Sequence, residues 1–145
     1  MLKSASAVLC LSVAVALTSM MLAPTAHASG LFSKTEVIFD EDVAIPSHSM
    51  QTRGFTLNQN ATLKLEVKGV KNTDKGFDVY LMTEDNLAKF QAAKEFRHFP
   101  AFQGLQVSSA TNTHDVSAGK YVFVVHNKYN LMKGMVVHIK ATVNP

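Results

Sequence analysis

The chain has 145 residues, with 14 lysines and arginines against 11 aspartates and glutamates and a formal charge of +3 at pH 7. Those charges are mixed along the sequence rather than clustered, which argues against a nucleic-acid-binding protein. The single cysteine, Cys10, falls inside an N-terminal apolar stretch, so no disulfide framework is expected and the core must suffice alone. Residues 1–28 read as a cleaved secretory signal: Lys3 is the basic n-region, residues 7–17 are a short apolar run, and Ala26-His27-Ala28 is a small-x-small cleavage site. The apolar run is broken by Ser12, Thr18 and Ser19 and ends near Pro24, short of the roughly 20 residues that a membrane span needs. Leu9 before Cys10 does not fit a lipid-modified cysteine. Cleavage after Ala28 leaves residues 29–145 as one domain, with 13 basic and 11 acidic side chains. The expected location is periplasmic or secreted.

In chain order, residues 35–39 read as a strand, Asp40-Glu41-Asp42 as an acidic turn, and residues 43–45 as a second short extended piece closed by Pro46. Residues 47–53 are polar and irregular, and a strand begins at Gly54 with Phe55 and Leu57 on one face. Residues 61–68 alternate, with Leu63, Leu65 and Val67 on one side and Thr62, Lys64, Glu66 and Lys68 on the other, the period of a half-buried strand. Lys64, Lys68, Lys71 and Lys75 form a sparse basic run, read as a solvated strand and turn. After a polar loop, residues 77–82 make another strand. Residues 83–86 supply helix-capping types, and Leu87, Phe90 and Lys94 share a face of a short helix.

Residues 95–104 form an aromatic loop holding Phe96, Phe99, Phe102, Pro100 and Gly104. A short strand over 105–110 and a polar turn over 111–115 follow. Residues 119–127 are apolar on both faces, which suits a strand in the middle of a sheet, and 135–143 alternate as the last strand. Seven or eight short strands with frequent turns predict an all-β fold, an antiparallel jelly-roll-like β-sandwich with one short helix.

Two of these strands carry a resemblance. Phe77-Asp78-Val79-Tyr80-Leu81, followed later by Gly119-Lys120-Tyr121-Val122-Phe123-Val124-Val125-His126-Asn127, resembles the bacterial pre-peptidase C-terminal domain, with its aspartate-containing strand and its later Gly-x-Tyr strand ending in Asn. GOLD domains have a similar skeleton, and Asn127-Lys128-Tyr129-Asn130 stands where their turn before the last strand falls. The resemblance covers residues 54–143 and implies a β-sandwich that serves as a binding or accessory module rather than an enzyme. Such modules are usually appended to another domain, so that role does not carry over to a chain read as free-standing.

The residues themselves point the same way. No Gly-x-Ser-x-Gly elbow occurs, and no cysteine follows residue 28. No catalytic residue and no cofactor is assigned. The candidate docking residues are Phe96, Arg97, Phe99, Phe102 and Gln103, because loops on rigid sandwiches and aromatic or arginine anchors carry many interfaces. The competing reading makes this loop a plug over the open end of the sandwich. The expected partner is a protein of the envelope or exterior, or a hydrophobic ligand. A carbohydrate is disfavoured, since the chain has no tryptophan. An alternative is a metal site of His114, His126 and His138, if the strands bearing His126 and His138 pair as a hairpin. A calcium site of Asp74, Asp78 and Asp85 is a further alternative. Asp78 is otherwise read as structural, accepting backbone amides.

Overall fold

The structure, a computed structural model, describes residues 34–145; the expected signal segment and cleavage site lie outside the described residues. Eight strands are described: β1 (Glu36–Ile45), β2 (Met50–Leu57), β3 (Ala61–Lys71), β4 (Phe77–Met82), β5 (Gly104–Val107), β6 (Ser109–Val116), β7 (Gly119–His126) and β8 (Met135–Val143). One helix, α1 (Glu84–Gln91), and a single 3-10 turn (Pro100–Phe102) complete the elements. The strands form two four-stranded sheets with the orders β1-β8-β3-β6 and β2-β7-β4-β5, here sheet A and sheet B. All pairings are antiparallel. The fold is an all-β antiparallel sandwich.

Alternation decides the core. On β3, Leu63, Leu65 and Val67 are buried while Thr62, Lys64 and Glu66 are partly wet. They meet Val137, Ile139 and Ala141 of β8 and, from sheet B, Phe77, Val79, Leu81, Phe123 and Val125. Strand β7 lies inside sheet B between β2 and β4, as its two apolar faces predict. The second apolar face has its own cover. Tyr80 and Met82 of β4 and Val122 and Val124 of β7 form a second cluster, against which Met50, Leu87, Phe90 and Phe96 pack. Helix α1 and the aromatic segment therefore close the outside of sheet B, and every residue of β4 is buried.

Four expectations need correction. The acidic run 40–42 is not a turn but the middle of the continuous strand β1, because β8 places Lys140 and His138 beside its carboxylates. Lys140 Nζ lies 2.7 Å from Asp40, and the two ring nitrogens of His138 lie 2.9 Å from Asp40 and 2.8 Å from Asp42. Strand β2 begins at Met50 inside the stretch read as irregular, with Arg53 Nε donating to Glu41 at 2.6 Å. Residues 111–115 belong to strand β6, the edge of sheet A, whose polar side chains face water. The predicted strand 105–110 is split: β5 ends in sheet B and β6 starts in sheet A, with Ser108 between them.

Candidate functional site

Helix α1 starts directly after β4 and turns back over sheet B. Thr83 is its N-cap in extended conformation but makes no capping bond through its own side chain. Instead Asn86 bridges: its Nδ2 donates to Thr83 Oγ1 at 2.9 Å, and its Oδ1 accepts the Arg97 amide at 2.8 Å. The helix ends in a Schellman pair, Ala93 N donating to Phe90 O and Lys94 N to Lys89 O, with Ala93 at φ 53°. That left-handed position is usually given to glycine because a Cβ strains it. The chain thereby reverses and lays residues 96–99 back on the sheet. Phe99 N donates to Leu81 O at 2.9 Å, extending the edge of sheet B by one residue pair.

Rings fill the space so formed. Tyr80 contacts Phe90, Phe96 and His98 at centroid distances of 5.4, 5.8 and 5.6 Å. Phe90 meets Phe96 at 4.7 Å and His126 at 5.7 Å, both edge to face. Such pairs contribute about 0.5–1.5 kcal/mol beyond their area, so the segment is held by interlocking rings as well as backbone bonds. The three phenylalanines of the loop go to different places. Phe96 is half-buried in this outer cluster. Phe99 is half-buried against Tyr121 at 5.5 Å, at the border of the inner core. Phe102 is 1% exposed and lies in the inner core beside His114. Phe102 is therefore not a docking residue, because no face of it reaches water. Arg97 remains exposed, Gln103 is half-buried, and Leu105 on the edge strand β5 is 55% exposed.

Beside the rings lies a polar cluster that the sequence only partly signalled. Asp78 is buried; its Oδ1 accepts the Gln106 amide at 2.8 Å and its Oδ2 accepts the Tyr80 hydroxyl at 3.3 Å. The structural reading of Asp78 is right, with the amide coming from strand β5. Gln106 has φ 52°, and a Cβ on Gly76 would fall 2.8 Å from the Gln106 carbonyl, so both residues are pinned at this corner. Burial, and next the Asp78 charge, push the Tyr80 phenol up to about 12. Tyr129 is raised too, first by the nearby Asp78 carboxylate. Burial depresses His126, opposed by Asp78 and aided by Lys128 and His48.

That depressed histidine has a consequence for stability. The folded protein binds fewer protons at His126 than the unfolded chain does, from the unfolded value of about 6.5 downward. Its contribution is fully present above that pH and declines as the pH falls into the window below it. Melting temperature is thus expected to drop between pH 7.5 and pH 5.5, and His126→Gln to flatten that slope. An unchanged slope in the variant would assign the effect to other groups.

The metal expectations do not survive the topology. Strand β7 lies in sheet B and β8 in sheet A, so His126 and His138 are not hairpin partners. His126 sits opposite Met50 and Asp78, His138 opposite Asp42 and Lys68, and His114 opposite Leu63. The three histidines are not brought together. Asp74 precedes β4 and Asp85 follows it, so a strand of roughly 20 Å separates them and they do not converge with Asp78. Among the described residues no group of three or more His, Cys, Asp or Glu side chains is placed to hold a metal ion.

Comparison with solved structures gives a likeness of fold. The chain is similar to the pre-peptidase C-terminal domain of collagenase from Bacillus anthracis. The match covers 70% of this chain and 88% of that domain, with a TM-score of 0.49 and 11% identity. No family model and no curated protein matches the sequence. Among the described residues no helix is long and apolar enough to cross a membrane.

Proposed function

We propose that this domain is a non-catalytic binding module of the periplasm or cell exterior, which docks a protein partner through the outer rim of the aromatic segment. The working residues are Phe96, Arg97, Phe99 and Gln103, with Leu105 on the adjoining edge strand. One observation carries the reading: the segment is clamped to sheet B by the Asn86 bridge, the Phe99–Leu81 bond and the ring cluster, yet it leaves a cation and apolar surface facing water. A surface fixed before binding loses little entropy on docking. The free edge of β5 adds unpaired backbone groups of the sort that accept a partner strand. The non-catalytic part is supported by the commitment of acids to structural partners: Asp78 to Gln106 and Tyr80, Glu41 to Arg53, Asp40 to Lys140.

The test is a paired variant, Arg97→Glu with Gln103→Ala. Both positions lie outside the core, so the melting temperature should stay within a few degrees of the parent. Partner capture from the secretory compartment should fall at least tenfold, the scale of an interface anchor. Full capture by the folded variant would remove the rim from the interface.

A further inference from the structure

The β3–β4 loop and the β7–β8 loop meet at the end of the sandwich where β4 begins. Asn72 Nδ2 donates to Gly134 O at 3.0 Å, and Asn130 Nδ2 donates to Asn72 O at 3.1 Å. Asn130 Oδ1 in turn accepts the Lys133 amide at 3.1 Å. Beneath them Asn127 Nδ2 donates to Pro46 O and Lys133 O. The base of the β7–β8 loop is fixed, and its tip stands in water: Leu131 is 59% and Met132 89% exposed. Single exposed apolar side chains are ordinary, but two adjacent ones on an anchored tip leave a patch that folding does not explain. Val70, at the neighbouring end of β3, is exposed as well.

Charge frames this patch. Lys71, Lys75, Lys128 and Lys133 are all exposed, and Asp74 is the one acid in the same two loops. Among the described residues none of these four lysines forms an ion pair, whereas Lys64 and Lys140 on sheet A are paired with Glu66 and Asp40.

We propose that this end of the sandwich, Leu131 and Met132 framed by Lys71, Lys75, Lys128 and Lys133, docks peripherally on an anionic lipid bilayer. The two apolar side chains enter the boundary between headgroups and acyl chains while the ammonium groups stay at phosphate level. The charge pattern selects this occupant. An acidic polypeptide would engage the lysines and gain little from Met132, and an apolar protein groove would leave four cations without partners. The patch is separate from the aromatic rim: residues 72–76 lead into β4, while Phe99 bonds to Leu81 near the other end of that strand. Membrane attachment and partner docking are therefore compatible.

The experiment is co-sedimentation of the protein with vesicles of phosphatidylcholine mixed with phosphatidylglycerol, and with vesicles of phosphatidylcholine alone. Binding to the mixed vesicles alone, weakening with salt, is the expected result. Leu131→Ser with Met132→Ser should lower the partition coefficient about tenfold, and each of Lys128→Gln and Lys133→Gln about fivefold. All four side chains are exposed, so an unchanged melting temperature verifies that folding is intact. Equal sedimentation with the two vesicle types overturns the proposal. So does an unchanged partition coefficient in the Leu131, Met132 variant. If polyglutamate binds as tightly as the vesicles, with or without those two side chains, the site belongs to an acidic polypeptide and the lipid assignment fails.

Discussion

Phe102→Ala is expected to lower folding stability by about 3–5 kcal/mol, the range for deleting a buried aromatic ring. The ring is 1% exposed and belongs to the inner core, in edge contact with His114 at 5.5 Å. It arrives there from the 3-10 turn, whose last residue it is, so its backbone is fixed by the Phe102 N to Phe99 O bond at 3.0 Å. A cavity at this place has little freedom to collapse between two hydrogen-bonded sheets. Phe96→Ala should cost only about 1–2 kcal/mol, because that ring is half-exposed in the outer cluster and loses less area from water. Urea midpoints for the two variants, at equal m-value, give the comparison. A small loss at Phe102 with a large one at Phe96 would invert the assignment of rings to layers.

The second large effect is at Asn127, which is fully buried. Its Nδ2 faces three carbonyls, Pro46 O at 3.0 Å, Lys133 O at 3.2 Å and Ile45 O at 3.4 Å. Its backbone amide donates to Ser49 O at 2.8 Å. The side chain thus ties the end of β1 and the approach to β8 to the end of β7, and the backbone amide adds the approach to β2. Three facing acceptors fix the amide orientation, and they leave Oδ1 buried with no hydrogen-bond partner. Removing the donor strands those carbonyls, so Asn127→Ala should cost about 2–4 kcal/mol. Asn127→Asp should cost more, since it turns a carboxylate toward oxygen lone pairs in a fully buried site. A less harmful Asp than Ala would mean that the Oδ1 side, not the Nδ2 side, carries the clamp.

Strands with an unambiguous period were legible in the sequence. Leu63, Leu65 and Val67 announce β3, and the apolar faces of residues 119–126 announce a central strand. Where charges or small polar residues interrupt the pattern, local reading stops short. Asp40, Glu41 and Asp42 look like a turn until Lys140, His138 and Arg53 are placed across from them. Thr111 to Asp115 look like a turn because an edge strand with a wet face has few apolar markers. The connection from β7 to β8 reads as a hairpin by length, but the Asn127 clamp sends β8 to the other sheet.

The same limit governs the site. Phe96, Phe99 and Phe102 are evenly spaced and chemically alike, so sequence alone ranks them equally. Their separation into outer cluster, border and inner core depends on Ala93 reversing the chain and on Phe99 bonding to β4. A signal for the outer cover was present: Tyr80 and Met82 on β4, and Val122 and Val124 on β7, form an apolar face that needs a partner, and Leu87 and Phe90 three residues apart supply one. The lysine-framed tip gave a weaker signal, because Lys71 and Lys75 come next to Lys128 and Lys133 only through the Asn72–Gly134 and Asn130–Asn72 bonds.

The central claim is that the aromatic segment is a fixed cover on sheet B whose outer rim receives a protein. Site-specific photo-crosslinking in the producing cell tests it most directly, with the reactive side chain placed at Arg97, at Leu105 or, as a control, at Lys64 on the outside of sheet A. The account predicts one discrete adduct from Arg97 and Leu105, absent from Lys64. The same adduct from Lys64, with none from Arg97 or Leu105, would contradict it.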